Sequence, residues 1–276
     1  MTDRHVVVGV DGSPVSVRAL DAAAEEATRY GTTLRVVYAV PDRDESGPVL
    51  ASAADRVRDR HPGLPVETRG VEGGAVRVLA RESESAVLTV VGTRGFGNVS
   101  GLLAGSVSWR LAARVHGPLL VVRGDRTGGR GREVLLGLES DADAPAAVHA
   151  FREAARRGVR LRVVHAVAHR FTTPELPSLV AATSPGQERQ AREDRAEEAV
   201  PRFGVARLRE EYPTVEVDVR TVRTGPAHAL LAGTREADVV VIGTSRGGAV
   251  PGPPVGPVAH VLLHHSHCPV VLVPTS

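Results

Sequence analysis

Apolar residues in this chain form short continuous runs rather than alternating with polar residues. Four such runs recur in the same order in two halves, which predicts an internal repeat. The runs pair as His5–Ser13 with Glu133–Asp141, Leu34–Val40 with Leu161–Val167, Ala86–Thr93 with Asp238–Thr244, and Gly117–Val122 with Cys268–Val273. Continuous Val, Leu and Ile runs are typical of strands buried on both faces, as in a parallel sheet covered by helices. The pattern therefore predicts two copies of one parallel α/β design.

The segments between the runs predict helices and a division into two domains. Ser13 followed by Pro14 fits a helix start, and Gly31 stands where that helix is expected to end. Strand, helix and strand in this order predict right-handed crossovers. The Gly- and Arg-rich stretch 123–132 is typical of a linker. We therefore expect domains at 1–124 and 131–276.

The second half is longer between its second and third apolar runs. Residues 185–212 are rich in Arg, Glu and Ala, which predicts a long helix. The pattern fits an exposed scaffold helix, and a helix that docks a partner is the alternative.

Composition indicates an ordinary globular protein in a reducing compartment. Apolar residues make up 42% of the chain and charged residues 24%. No apolar run reaches the roughly 18–20 residues that span a bilayer, and the N-terminus has no signal-peptide pattern. A single cysteine, Cys268, cannot form an internal disulfide. We expect a cytoplasmic protein that does not insert into membranes.

The basic residues exclude several classes of function. All 34 residues counted as Lys or Arg are arginine. A chain without lysine cannot be a P-loop ATPase or form a Schiff base. The formal net charge is only +2 and aromatic residues make up 3%, so nucleic acid is not an expected partner.

The strongest functional signal is a Gly-rich loop after the third repeated run. The run ends at Gly92, glycines follow at 95, 97, 101 and 105, and a helix is predicted from Ser106. Glycines let a backbone approach a ligand closely, and the N–H groups of a loop and helix start can bind an anion. The glycines alone are equally compatible with a tight turn. The strand–loop–helix context favours a site, because open α/β sheets bind ligands at that edge.

The loop resembles the nucleotide motif of the universal stress protein family: Gly, two residues, Gly, nine residues, Gly, then Ser or Thr. Gly92, Gly95, Gly105 and Ser106 fit every position. The resemblance extends over almost the whole chain, twice, and includes the segments 9–13, 73–75 and 116–119. It implies two Rossmann-like (adenine nucleotide alpha hydrolase-like) domains, each a five-stranded parallel sheet of order 3-2-1-4-5 flanked by helices. It also implies ATP binding, a role in stress adaptation, and pairing of domains through their last strands.

The resemblance also implies which residues hold the nucleotide. Adenosine is expected beside Gly9, Val10, Asp11 and the backbone of Ala39, and the phosphates beside Gly92, Gly95, Gly105, Ser106, Val107 and Ser108. Two of these assignments, and the role of Arg94 in the same loop, have alternatives. Asp11 could instead cap a local turn, Ser106 could serve only as a helix N-cap, and Arg94 fits either a phosphate contact or a solvated loop.

The second half departs from the motif at three positions. The spacing from Gly243 to Gly256 equals that from Gly92 to Gly105, but Arg246 replaces the second motif glycine. Pro257 stands at the Ser position and offers neither an N–H group nor a hydroxyl. Glu139 replaces Asp11. We therefore expect the second half to be degenerate for ATP.

Other reactive residues form weaker patterns. The histidines at 260, 264, 265 and 267 could bind a metal or belong to an ordinary helix-to-strand turn, and the turn is favoured. Cys268 fits a small buried residue rather than a nucleophile. Neither a Ser-His-Asp arrangement with a nucleophile elbow nor a paired-carboxylate setting is recognisable. We assign no catalytic and no metal-binding residue.

The favoured hypothesis is an ATP-binding stress-response regulator, with or without Mg²⁺ bridging the phosphates. Its expected partners are the adenine nucleotide, a second copy or an intrachain pseudo-dimer, and unidentified proteins. The alternative is an interaction scaffold of the same fold that binds no nucleotide. A slow ATP hydrolase is a third hypothesis, weakened because no general base is evident near the phosphates.

Overall fold

The computed structural model of the protein describes residues 4–40, 46–93, 106–123, 133–166, 205–245 and 255–275. The first half contains five strands and four helices within that part of the chain. They are β1 (His5–Val10), α1 (Pro14–Tyr30), β2 (Leu34–Val40), α2 (Gly47–Arg60), β3 (Val66–Glu72), α3 (Ala75–Glu82), β4 (Ala86–Gly92), α4 (Ser106–Ala112) and β5 (Leu119–Val122).

The second half repeats this order. Its elements are β6 (Glu133–Gly137), a 3₁₀ turn (Asp141–Asp143), α5 (Ala144–Arg157), β7 (Arg160–Ala166), α6 (205–211), β8 (Val217–Val222), α7 (Pro226–Gly233), β9 (Val239–Ser245), α8 (Pro257–His265) and β10 (Val270–Thr275). No helix among the described residues is long and apolar enough to cross a membrane.

All ten strands belong to one sheet. Its order is β3-β2-β1-β4-β5-β10-β9-β6-β7-β8, so each half has the order 3-2-1-4-5 that was predicted. The strands within each half are parallel, and β5 pairs with β10 in the antiparallel sense, with Val121 opposite Val270 and Leu119 opposite Leu272. The predicted contact through the last strands is thus a continuous sheet that relates the halves by a pseudo-twofold axis.

Alternate residues of the central strands enter two separate cores. Val6 and Val8 of β1 belong to the core that includes residues of α1, α2 and α5, whereas Val7 belongs to the core that includes residues of α3, α4 and α8. All three side chains are fully buried. The prediction of strands buried on both faces is therefore confirmed.

Helix α1 has the predicted start and stop. Ser13 Oγ accepts a hydrogen bond from the backbone N–H of Ser16, and Pro14 occupies the first turn, where its missing N–H has no cost. Gly31 ends the helix in the left-handed conformation with φ 61°, which glycine adopts without steric strain. This cap fixes α1 directly behind the carboxyl end of β1.

The structure adds strands that the apolar runs did not predict. The outer strands β3 and β8 have largely polar and half-exposed residues, since each is paired on one side only. Of the predicted helix at 185–212, residues 185–204 lie outside the described part, and residues 205–211 are helical. Val205 and Leu208 on this segment are buried in the core rather than solvated. The described end of the segment therefore packs as part of the domain.

Candidate functional site

The carboxyl ends of β1, β2 and β4 meet at one edge of the first half. Strand β1 lies between β2 and β4, with Val10 level with Tyr38 and Val8 level with Val90. Because the three strands are parallel, Asp11, Ala39 and Gly92 lie at the same edge. This is the point at which the strand order reverses direction, where open α/β sheets form ligand crevices.

Asp11 caps the turn that follows β1. Its Oδ1 accepts a hydrogen bond of 3.0 Å from the backbone N–H of Ser13. This is the local turn role that the sequence left open for Asp11. The side chain is exposed, so the turn also presents the carboxylate at the sheet edge.

Gly9 and Gly92 are required by helix packing at this edge. A Cβ on Gly9 would lie 2.7 Å from Leu79 Cδ1 of α3, on one face of the sheet. A Cβ on Gly92 would lie 2.9 Å from the backbone oxygen of Val15 in α1, on the other face. Both distances are shorter than packed carbon and oxygen atoms permit. These two glycines therefore have a packing role whether or not a ligand binds.

Helix α4 begins with Ser106, as predicted. The first N–H groups of a helix have no partner within the helix, and an anion satisfies them. Val107 is half-buried and Ser108 is buried. The predicted phosphate residues Gly95 and Gly105, and also Arg94, lie outside the described residues, so their placement stays a prediction.

A cleft of about 270 Å³ borders the edge further out. It is lined by residues of β3 and α3, namely Val71, Glu72, Arg77, Val78, Arg81 and Glu82. Val71 is level with Ala39 in the sheet. The cleft thus starts beside the position predicted for adenine and continues along α3.

An acidic side chain lies at the corresponding edge of the second half. Asp143 Oδ2 accepts hydrogen bonds from the backbone N–H groups of Glu139, at 2.8 Å, and Ser140, at 3.3 Å. Its Oδ1 lies 2.2 Å from the position that a Cβ on Gly243 would take. An apolar residue, Val15, contacts the matching glycine of the first half. The carboxylate therefore places a negative charge at the edge of the second half, against Gly243.

This role of Asp143 was not predicted from the sequence. The signal was an aspartate two residues before Pro145, at the place where the first half has apolar Val15 at the start of α1. The departure that was predicted at Pro257 is visible, because Pro257 is the first residue of α8 and has no N–H group to donate. Arg246 lies outside the described residues.

Comparison with known proteins agrees with this architecture. The sequence profile of the Universal stress protein family matches residues 3–123 and again residues 131–274. The chain belongs to the universal stress protein family.

Relatives of the same tandem length occur in mycobacteria. A universal stress protein of Mycolicibacterium smegmatis is 32% identical over 99% of this chain and 97% of its own. One of Mycobacterium tuberculosis is 31% identical over 98% of this chain and 95% of its own. The crystal structure of a universal stress protein from Archaeoglobus fulgidus shares the fold, with a TM-score of 0.71, 18% identity, and coverage of 100% of this chain and 97% of that chain.

The histidine run of this universal stress protein lies at the junction of its halves. The His260 and His264 rings are 4.4 Å apart on one face of α8, and His260 meets the edge of Trp109 from α4 at 5.0 Å. Burial, and then the neighbouring His260 and His265, lower the pKa of His264. Within the described ranges, no three His, Cys, Asp or Glu side chains are grouped so that they could hold a metal ion.

Cys268 is buried, as predicted. Burial raises the pKa of its thiol to about 12, so the reactive thiolate is scarce at neutral pH. Ser266 Oγ donates a hydrogen bond to the backbone oxygen of Cys268 at 2.6 Å. These contacts assign Cys268 to the core of the second half.

Proposed function

We propose that this universal stress protein binds ATP at the carboxyl edge of its first half and acts as a nucleotide-responsive regulator in stress adaptation. The observation that carries the proposal is the start of α4. It begins with Ser106, the position of the motif serine, whereas α8 begins with a proline. Family membership and the intact spacing from Gly92 to Ser106 support the same site.

The expected contacts divide between the two ends of the nucleotide. Asp11, exposed on a capped turn, suits a hydroxyl of the ribose or a polar atom of the base. The backbone of Ala39 suits the adenine edge. The N–H groups of Ser106 and Val107 suit the phosphates, because charge-assisted bonds to a helix start are the stronger kind. Gly95 and Gly105 of the loop complete the proposed cradle, and Mg²⁺ enters only as a bridge between phosphates.

The single tryptophan offers a direct readout of binding. Trp109 stands three residues after Ser106 on α4, half-buried against His260. We expect its fluorescence to change in a saturable way when nucleotide-free protein is titrated with ATP, with and without Mg²⁺. A titration with inorganic phosphate should give a much weaker response, since it lacks the adenosine contacts.

The decisive variant is Ser106→Pro, which copies the second half. Proline is tolerated in the first turn of a helix, so the fold should be retained. Loss of a charge-assisted hydrogen bond of ~1.5–3 kcal/mol should weaken ATP binding by about ten- to a hundredfold. The matched control is Pro257→Ser, which should leave ATP affinity unchanged.

Equal ATP affinity in wild type and in a folded Ser106→Pro variant would overturn the proposed site. Gly95→Arg and Gly105→Arg extend the test to the loop, and each should abolish binding without unfolding the chain. If neither fluorescence nor a direct binding measurement detects ATP, the scaffold hypothesis replaces this proposal. The degenerate second half favours that alternative, since it indicates that the fold tolerates changes in its cradle.

A further inference from the structure

A buried cluster of charged side chains joins the two halves behind the sheet. Helices α1 and α5 each carry a glutamate five residues before the terminal glycine, Glu26 before Gly31 and Glu153 before Gly158. Both glutamates are 3% exposed. They therefore occupy equivalent positions about the pseudo-twofold axis, and Arg157 of α5 contacts both.

The two glutamates differ in how completely they are hydrogen-bonded. Glu153 has a partner on each oxygen: Arg157 Nε donates to its Oε1 at 2.5 Å and Arg156 Nη2 to its Oε2 at 2.9 Å. Glu26 Oε1 accepts from Arg29 Nη1 at 2.6 Å and from Arg157 Nη2. Glu26 Oε2 is buried and has no hydrogen-bond partner among the described residues.

The difference originates in one substitution between the repeats. Arg157 occupies the position that Tyr30 has in α1, so α5 supplies two cations to its own glutamate and α1 supplies one. Arg156 also crosses the junction, with its guanidinium 3.9 Å from the centre of the Tyr30 ring and its Nη2 2.8 Å from the Tyr30 hydroxyl. The additional cation, Arg157, therefore belongs to the second half and pairs with both Glu153 and Glu26.

The surroundings favour opposite protonation states for the two acids. Burial, and then repulsion by Glu153, raise the pKa of Glu26 from 4.5 to about 7, against the opposing effects of Arg157, Arg29 and Arg156. For Glu153, burial acts in the same upward direction, but the neighbouring arginines outweigh it and lower the pKa to about 2. Burial and a nearby carboxylate both disfavour the charged form of an acid, whereas nearby arginines favour it.

The other titratable groups around Glu26 keep one charge state near neutral pH. His149 of α5 is buried, and this lowers its pKa to about 4, so it is neutral there. Burial raises the pKa of Tyr30, which keeps the phenol protonated. Glu25 lies on the exposed side of α1 and pairs with Arg29 Nη2 at 3.0 Å. Burial lowers the pKa of Arg157, but Glu153, Glu26 and then Asp238 outweigh it and raise that pKa, so the arginine stays charged.

We propose that the α1–α5 contact is a proton-sensitive joint between the halves, in which Glu26 Oε2 takes up a proton that removes the repulsion between Glu26 and Glu153 and thereby stabilises the contact. The proton adds to the oxygen that has no partner. The two guanidinium bonds to Oε1 become weaker, but the buried negative charge of Glu26 and its repulsion by Glu153 are removed, and this gain is the larger. Glu153 stays ionised and keeps Arg157 on α5. The proposal is independent of nucleotide binding.

The sign of the pH effect follows from the raised pKa. Folded protein binds the Glu26 proton more tightly than unfolded protein does. The associated stability is fully present below the unfolded value of 4.5 and is lost as the pH rises through about 7. Glu26→Gln lacks the titrating carboxyl group. As the pH rises from 4.5 to about 7, we therefore expect its Tm to increase relative to that of the wild type, by on the order of a few degrees.

Carbon-13 NMR of the glutamate side-chain carboxyls in the full chain tests the proposal directly. We expect one glutamate to titrate near pH 7 in the wild type, to be absent from Glu26→Gln and to persist in Glu25→Gln, the exposed neighbour on the same helix. In Glu153→Gln its midpoint should move to lower pH, because a repelling charge is removed and Arg157 is released to Glu26.

Two results would contradict the proposed proton-sensitive joint. One is a wild-type spectrum in which every glutamate titrates near the ordinary value of 4.5. The other is a Tm difference between wild type and Glu26→Gln that does not change with pH. The wild-type titration needs no variant, so it decides the question even if Glu26→Gln fails to fold.

Discussion

The two halves of this protein share their strand ends and differ in the turns and helices that follow. Gly9 is the last but one residue of β1 and Gly137 is the last residue of β6, and both lie against a leucine of the facing helix. Gly92 and Gly243 occupy the fourth strand of each half, and both lie against the turn or helix behind. A glycine that both halves keep therefore reports close packing. The first residues of α4 and α8, Ser106 and Pro257, differ between the halves, so they are the better indication of which half binds a ligand.

The acidic residues at the two edges also differ in their hydrogen bonds and exposure. Asp11 accepts one turn N–H and remains exposed, whereas Asp143 accepts two turn N–H groups and lies against Gly243. A carboxylate bonded to backbone amides fills the kind of site that an anion would occupy. The second edge thus satisfies its own turn amides with Asp143.

The largest expected effect concerns the packing glycines. Gly92→Ala places a methyl group 2.9 Å from the Val15 backbone oxygen, and Gly243→Ala places one 2.2 Å from Asp143 Oδ1. We expect both variants to lose about 1–3 kcal/mol of unfolding free energy, measured by urea denaturation, because overpacking forces backbone or bonded side chains to shift. The loss in both halves would show that the glycines are structural.

Gly47→Ala is the matched control for this pair. Gly47 begins α2, and a Cβ there has no atom within 4 Å among the described residues. We expect a change below about 0.5 kcal/mol. If Gly92→Ala were as stable as Gly47→Ala, the packing explanation for the shared glycines would be wrong.

A smaller effect separates the two aspartates. Asp143→Ala leaves the Glu139 and Ser140 amides without their acceptor, and we expect it to cost about 0.5–1.5 kcal/mol of unfolding free energy without changing ATP affinity. Asp11→Ala should weaken ATP binding by about three- to tenfold, since it removes one polar contact. Unfolding curves and Trp109 titrations measure both outcomes, and an Asp143→Ala variant as stable as the wild type would contradict the hydrogen-bonding role of Asp143.

The central strands could be predicted from the sequence because burial on both faces leaves a continuous apolar run. Val6, Val7 and Val8 show this signal. The outer strands β3 and β8 gave no such run, since their exposed residues face solvent and tolerate polar side chains. Their existence followed only from the family resemblance.

The candidate site could be predicted where one local segment defines it. The Ser13 cap and the Ser106 helix start are local patterns of this kind. Contacts between distant segments were not predictable: Asp143 with Gly243, Leu79 with Gly9, and Glu26 with Arg157 each join residues far apart in sequence. Such contacts depend on the packed arrangement of helices on the sheet, which periodicity does not encode.

Calorimetric titration of the nucleotide-free full chain with ATP and Mg²⁺ tests the difference between the halves most directly, because it counts sites. We predict one ATP per chain, and loss of that site in Ser106→Pro but not in Pro257→Ser. Two ATP per chain would show that Pro257 and Asp143 do not close the second edge, and a chain that binds no ATP would contradict the proposed site in the first half.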